Sequence, residues 1–206
     1  MILEAITVGA MQANCYVLAE AAGRDAIIID PGADARKIKE VLDAYRLKPR
    51  AVINTHGHYD HIGADNEFGV EVYVHGDDEA MLKSAELNFS AMFAVPFKVT
   101  VPVTTVIDQQ ILTFGGIELR ALHIPGHTPG GIALLLRKPK GAMVFTGDTL
   151  FHHSIGRSDL SGGSGDELIN AIKEKLLVLP DETKVYPGHG PLSTIGEERS
   201  HNEFLA

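Results

Sequence analysis

From Thr55 to His61 the sequence reads THGHYDH, which sets His56, His58, Asp60 and His61 within six consecutive positions directly after the apolar run AVIN. Imidazole and carboxylate are borderline-to-hard ligands that suit zinc, iron or manganese, and a tight loop at a strand end can aim several of them at one point. Taken alone, a His-rich loop is also a common solvated surface feature. Three further segments change the balance: His127 lies in HIPGHTPGG, Asp148 in VFTGDTL and His189 in KVYPGHG, each at the end of a β-rich apolar stretch and beside glycine. Glycine next to a ligand lets the backbone turn sharply and approach an ion closely, a setting that a solvated histidine does not require.

In this order along the chain, THGHYDH, GHTPGG, FTGD and PGHG resemble the metallo-β-lactamase superfamily, and within it the glyoxalase II (hydroxyacylglutathione hydrolase) branch and its short bacterial relatives. The resemblance implies two divalent metal ions per chain, with zinc the expected metal and iron or manganese the alternatives. One would be held by His56, His58 and His127, the other by Asp60, His61 and His189, and Asp148 would bridge them. All seven positions carry the expected residue type. The DPG element at Asp30 matches the place where the family has a hydrogen-bond acceptor behind a ligand imidazole; a strand-ending turn carboxylate is the plainer reading.

Water on a catalytic zinc has a pKa near 7, so a hydroxide shared by two ions is a nucleophile at neutral pH, and Asp60 or Asp148 could orient its proton. A thioester suits such a device, because a thiolate with a conjugate-acid pKa of about 8.5 leaves with little help. An amide nitrogen needs a proton donor, for which His152, His153 and Tyr186 are the visible candidates. The expected activity is therefore hydrolysis of a small-molecule acyl-thiol such as an S-lactoyl thioester. The alternatives are a persulfide dioxygenase with one iron at His56, His127 and Asp148, and a lactonase or other ester hydrolase. PGHGP speaks against the dioxygenase, which more often shows an Asp-Tyr pair after the last histidine. A redox module feeding a flavin partner and a purely structural metal are weaker readings, the latter because structural zinc usually has four protein ligands in a closed site.

Substrate-contacting residues are less legible. The loop GRSDLSGG resembles the G-R-x-D loop of the short hydrolases and of the dioxygenases, where Arg157 could meet a carboxylate or pair internally with Asp159. The run LNFSAMFAVPFKVTVP has no clean period; Phe89, Met92 and Phe93 could roof the site or pack in the core. His123 is assigned a packing or hydrogen-bonding role and Cys15 a buried packing role. The ending at HNEFLA fits the short bacterial type, which lacks the helical C-terminal region of full-length glyoxalase II.

The elements that must position these residues follow from periodicity. Strands are predicted at Leu3 to Val8, Asn14 to Ala19, Ala26 to Asp30, AVIN, Val70 to His75, Ile111 to Phe114, Ile117 to Ile124, Gly131 to Arg137, Ala142 to Thr146 and KVYPGH. Helices are predicted from about Asp34 to Tyr45, with Ile38, Val41, Leu42 and Tyr45 on one face, and from about Asp166 to Leu177. This is an α+β pattern within one domain, residues 1–206, and the resemblance specifies a four-layer αββα sandwich with the metals at one edge. Net charge is −9, from 27 acidic and 18 basic residues, which disfavours nucleic acid or an anionic membrane as partner. With no long apolar run and no basic leader, the expected location is cytoplasmic.

Overall fold

The computed structural model describes residues 1–138 and 142–206. The first half forms one mixed sheet from β1 (Ile2–Val8), β2 (Ala13–Ala19), β3 (Asp25–Ile29), β4 (Lys48–Ile53), β5 (Val72–His75) and β6 (Val103–Val106), in that spatial order. The second half forms another from β7 (Ile111–Phe114), β8 (Ile117–His123), β9 (Ile132–Lys138), β10 (Met143–Gly147), β13 (Lys184–Pro187) and β14 (Ser193–Thr194), while β11 (Leu150–Phe151) and β12 (Ser154–Ile155) make a separate hairpin.

Strand alternation dictates the layering, because successive side chains point to opposite faces. In β2, Tyr16 and Leu18 join the core between the sheets, whereas Cys15, Val17 and Ala19 face outward. In β3, Ile27 and Ile29 face in, and Ala26 and Ile28 face out. The second sheet does the same: Ile132 and Leu134 meet the first sheet, and Ala133 lies on the far side with Val144. Both faces of both sheets are thus apolar, and each outer face must be covered. Helix α1 (Ala35–Ala44) covers one with Ile38 and Leu42, and α4 (Gly165–Lys175) and α5 (Ile195–His201) cover the other with Leu168, Ile172 and Ile195. The result is the αββα sandwich. Two single-turn helices, α2 (Tyr59–Ile62) and α3 (Glu79–Leu82), follow β4 and β5.

The two long helices lie within two residues of their predicted limits. Helix α4 starts where the Ser164 hydroxyl accepts the Glu167 N–H. Asp34 precedes α1 at φ 50° without capping it, and its carboxylate instead accepts the Gly9 N–H and pairs with Lys37. Periodicity misses β6, a four-residue edge strand whose polar Thr104 and Thr105 mask its alternation, and the two-residue strands β11, β12 and β14.

Topology decides where chemistry can occur. β3, β4, β5 and β6 run parallel, as do β10 and β13, so their connections leave the carboxyl ends of the strands on one side. In such sheets ligands bind outside those ends. Asp30, the THGHYDH loop, Asp148 and the PGHG loop all follow strands at that edge. Among the described residues no helix is long and apolar enough to cross a membrane.

Phe145 is the centre of the inter-sheet core, fully buried with its ring 5.1 Å from both Tyr16 and Tyr186. Replacing Phe145 with Ala is expected to cost about 3–5 kcal/mol in urea unfolding. A cost under about 1 kcal/mol would mean that the two sheets do not depend on this contact.

Candidate metal centre

The structure brings together all seven residues read as ligands. His56, His58 and His127 form one donor trio, and Asp60, His61 and His189 form another. His58 Nδ1 lies 3.0 Å from His127 Nε2, and His189 Nε2 lies 3.3 Å from His61 Nε2 and 3.1 Å from Asp60 Oδ2. Asp148 stands between the trios. Its Oδ1 is 3.3 Å from His61 Nε2, and its Oδ2 is 3.6 Å from both His127 Nε2 and His189 Nε2.

Three contacts fix which nitrogen of each ring carries the proton. Asp30 accepts the Thr55 N–H and the Thr55 hydroxyl, each at 2.7 Å, and the His61 Nδ1–H at 3.1 Å. Because the Thr55 hydroxyl has given its single proton to Asp30, it accepts from His56 Nδ1 at 3.1 Å. The Arg157 carbonyl accepts from His127 Nδ1 at 2.7 Å. In all three rings Nε2 is the nitrogen left facing the cluster, the arrangement that metal-ligating histidines adopt.

The set fits a pair of ions on two independent grounds. His56 Nε2 and Asp148 Oδ1 are buried without a hydrogen-bond partner, which is costly unless something else satisfies them. Donor separations of 3.0–3.6 Å are those of neighbouring ligands bonded at about 2.0–2.2 Å to one centre. Electrostatics agrees. Burial, reinforced by His127, pushes His58 down to about 3, and burial with His61 and His127 pushes His56 down as well, so both rings are neutral and able to ligate at neutral pH. Burial would raise Asp60 and Asp148, but His61 and His189 outweigh it and hold both carboxyls below the usual range. His61 differs: burial lowers it, but Asp148, Asp60 and Asp30 outweigh burial and shift it upward, so without an ion its Nε2 holds a proton that a bound cation would displace.

Close backbone approach explains two of the glycines. A Cβ at Gly188 would sit 2.3 Å from Asp148 Oδ1 and 2.8 Å from His61 Cε1, and one at Gly147, which has φ 49°, would sit 2.2 Å from Thr55 Oγ1. The His189 loop is held from the other half of the chain: Asn14 Nδ2 donates to the Pro187 and Gly190 carbonyls, and the Tyr16 hydroxyl donates to Pro187 at 2.6 Å.

Beside the donors lies a cavity of about 220 Å³ whose apolar lining is Met11, Phe89, Met92, Phe93 and Leu160. The run from Leu87 to Pro102 is therefore divided: Phe89, Met92 and Phe93 line the site, while Phe97, Val99 and Val101 pack on the core of the first sheet. Arg157 also lines the cavity, with its guanidinium engaged bidentately by Asp159 at 2.8 Å for both bonds. The three candidate proton donors lie elsewhere: Tyr186 is buried in the inter-sheet core, and His152 and His153 face Glu197. His123 donates to the Pro129 carbonyl and stacks on His75, and Cys15 is fully buried.

Sequence reading missed Asp78. This buried carboxylate accepts the Gly57 N–H at 2.9 Å, the Thr128 hydroxyl at 2.7 Å and the Gly130 N–H at 2.6 Å, tying the loop of His56 and His58 to that of His127. Its only advance signal is the acidic pair Asp77–Asp78 one glycine after the strand VYVH. Replacing Asp78 with Ala orphans three buried donors and is expected to cost about 3 kcal/mol or more in chemical denaturation. Unchanged stability would remove Asp78 from the framework of the site.

Residues 8–189 match the Metallo-beta-lactamase superfamily. An uncharacterized protein of Mycobacterium tuberculosis is 43% identical, covering 100% of this chain and 98% of its own. A probable metallo-hydrolase of Bacillus subtilis is 37% identical (96% and 94%), and hydroxyacylglutathione hydrolase GloC of Haemophilus influenzae is 36% identical (100% and 98%). Among solved structures, BLEG-1 B3 metallo-beta-lactamase superposes with a TM-score of 0.92 at 38% identity, covering 100% of both chains. TTHA1623 in a di-iron-bound form gives 0.84 at 35% identity (98% and 100%), and ETHE1 from Myxococcus xanthus gives 0.74 at 28% identity (98% and 84%). A sandwich with its donors at the carboxyl ends of the strands, matched in sequence along most of its length and in shape throughout, places this chain in one group: it belongs to the metallo-beta-lactamase superfamily.

Proposed function

We propose that this protein is a metal-dependent thioester hydrolase of glyoxalase II type, acting on a small acyl-thiol such as an S-lactoyl thiol. His56, His58 and His127 would hold one divalent ion, Asp60, His61 and His189 a second, and Asp148 both. Zinc is the leading metal, with iron or manganese accepted by the same donors. When bound, the ions supply Lewis acidity toward the acyl oxygen and lower the pKa of water.

The observation that carries the thioester reading is the composition of the cavity wall. Asp60 and Asp148, held anionic by their histidine neighbours, line it and can accept and orient the proton of the attacking water at a carboxylate oxygen. Apart from the donors, Tyr59, Asn88 and Arg157, the lining is apolar, and none of Tyr186, His152 and His153 reaches it. Among the described residues Tyr59 is the one hydroxyl on the wall, and its ring packs against Phe97. A leaving thiolate needs no stronger acid, whereas an amide nitrogen does. The name of the Haemophilus relative supports the same substrate class.

The test is S-lactoylglutathione hydrolysis by protein of quantified metal content, run alongside oxygen uptake with glutathione persulfide, for the wild type and Asp60→Ala. Turnover with about two metals per chain is expected, falling by about 100-fold or more in the variant as metal content drops, and likewise after chelation. Oxygen uptake with one iron and a tolerant Asp60 would replace this reading with the dioxygenase, and silence in both assays would direct the search to other thiols or lactones. Phe93, 55% exposed on the cavity rim, supplies a second check. Phe93→Ala is expected to raise KM several-fold at unchanged unfolding midpoint, whereas lowered stability with unchanged kinetics would make it a packing residue.

A further inference from the structure

The hairpin of β11 and β12 turns through two adjacent histidines, His152 and His153. His153 sits at φ 57°, a left-handed conformation that glycine or asparagine adopts more readily.

Both imidazoles aim at one atom. His152 Nε2 lies 3.2 Å and His153 Nε2 3.3 Å from Glu197 Oε1, and the rings stack at 4.0 Å with 22° between their planes. A fourth donor is close by, since the His201 ring, one turn further along α5, is 5.6 Å from that of His153. The two ring nitrogens and the carboxylate oxygen lie within 4.8 Å of one another.

The backbones that carry these side chains are anchored from below. The His153 N–H donates to Glu198 Oε2 at 2.9 Å, and Asn202 Nδ2 donates both to that same oxygen at 2.8 Å and to the Ser154 carbonyl at 3.0 Å. Glu198 and Asn202 are buried. Glu197 itself is held in the first turn of α5, its N–H bonded to Thr194 Oγ1. The hairpin tip and the helix thus keep a fixed relation while the three donor groups remain open to solvent.

We propose that His152, His153 and Glu197 form a third metal site, separate from the buried cluster, that takes an exchangeable borderline divalent cation of the zinc, nickel or copper class and staples the hairpin to α5. Separations of 3.2 and 3.3 Å between the nitrogens and the oxygen suit ligands at about 2.0–2.2 Å from one ion. Two imidazoles with one carboxylate favour such cations over magnesium or calcium, which take oxygen ligands. The site stands on the segment between Asp148 and Arg157, the residues that close the buried centre from that side.

The experiment is calorimetric titration of Zn²⁺ into protein already carrying its buried ions, for the wild type, the double variant His152→Gln/His153→Gln, and Glu197→Gln, with Mg²⁺ as the control cation. The wild type should take up one further equivalent of zinc, with slowed hydrogen exchange at the hairpin amides. The double variant should lose that equivalent, Glu197→Gln should bind at least ten-fold more weakly, and metal content at the buried cluster should be unchanged in both. Absence of the extra equivalent in the wild type, its persistence in Glu197→Gln at unchanged affinity, or equal uptake of Mg²⁺ would each overturn the proposal. The single variant leaves the hairpin turn intact, so misfolding of the double variant does not remove the test.

Discussion

The Asp30 carboxylate is the contact on which the centre depends. It is buried at the end of β3, and it accepts from the backbone of Thr55, the hydroxyl of Thr55 and the ring of His61. Those three bonds do separate jobs. One ties the exit of β3 to the exit of β4, one forces the Thr55 hydroxyl to accept from His56, and one turns Nε2 of His61 toward the other donors. Asp30 touches none of the open cavity, yet without it neither the path of the THGHYDH loop nor the protonation of two of its rings is determined. Such acceptors behind metal ligands set both orientation and basicity. Asp78 does the corresponding work between the loop of His56 and His58 and the loop of His127.

These carboxylates can be buried only because the scaffold below them is rigid. Each strand that ends at the centre is packed on both faces: β3 sends Ile27 and Ile29 into the space between the sheets and Ala26 and Ile28 toward α1. The parallel strands deliver their loops to one edge, and the second sheet delivers Asp148 and His189 to the same edge from the other side. Close approach then does the rest, with Gly188 pressed against Asp148 and His61, and Gly147 against Thr55, at distances that leave no room for a side chain.

Much of this was legible in the chain. The seven donors announce themselves through residue type beside glycine at strand ends, and the long helices through the spacing of Ile38 and Leu42, or of Leu168 and Ile172. What the sequence hides is what acts at long range or through the backbone. Asp78 looks like an ordinary acidic turn residue until folding brings Gly57, Thr128 and Gly130 onto it. Asn14 and Tyr16 read as parts of a strand, and their grip on the PGHG loop joins positions more than 170 residues apart. Arg157 attracts attention for its guanidinium, which pairs with its neighbour Asp159, whereas the contact that reaches the centre is its carbonyl. Side-chain periodicity carries no record of such partners.

The separation of the donors along the chain has a consequence for biogenesis. His58 and His127 are 69 residues apart, but His189 follows Asp60 by 129. On a translating ribosome, which adds about 5–20 residues per second, the first trio exists in full well before the second. His189 also arrives on a loop that the N-terminal strand β2 must capture through Asn14 and Tyr16. A nascent chain therefore passes through a stage in which four histidines and two aspartates of the cluster have been made and the last imidazole is missing. Ion capture at that stage would involve the first trio ahead of the second, because His56, His58 and His127 are complete while His189 is still unmade.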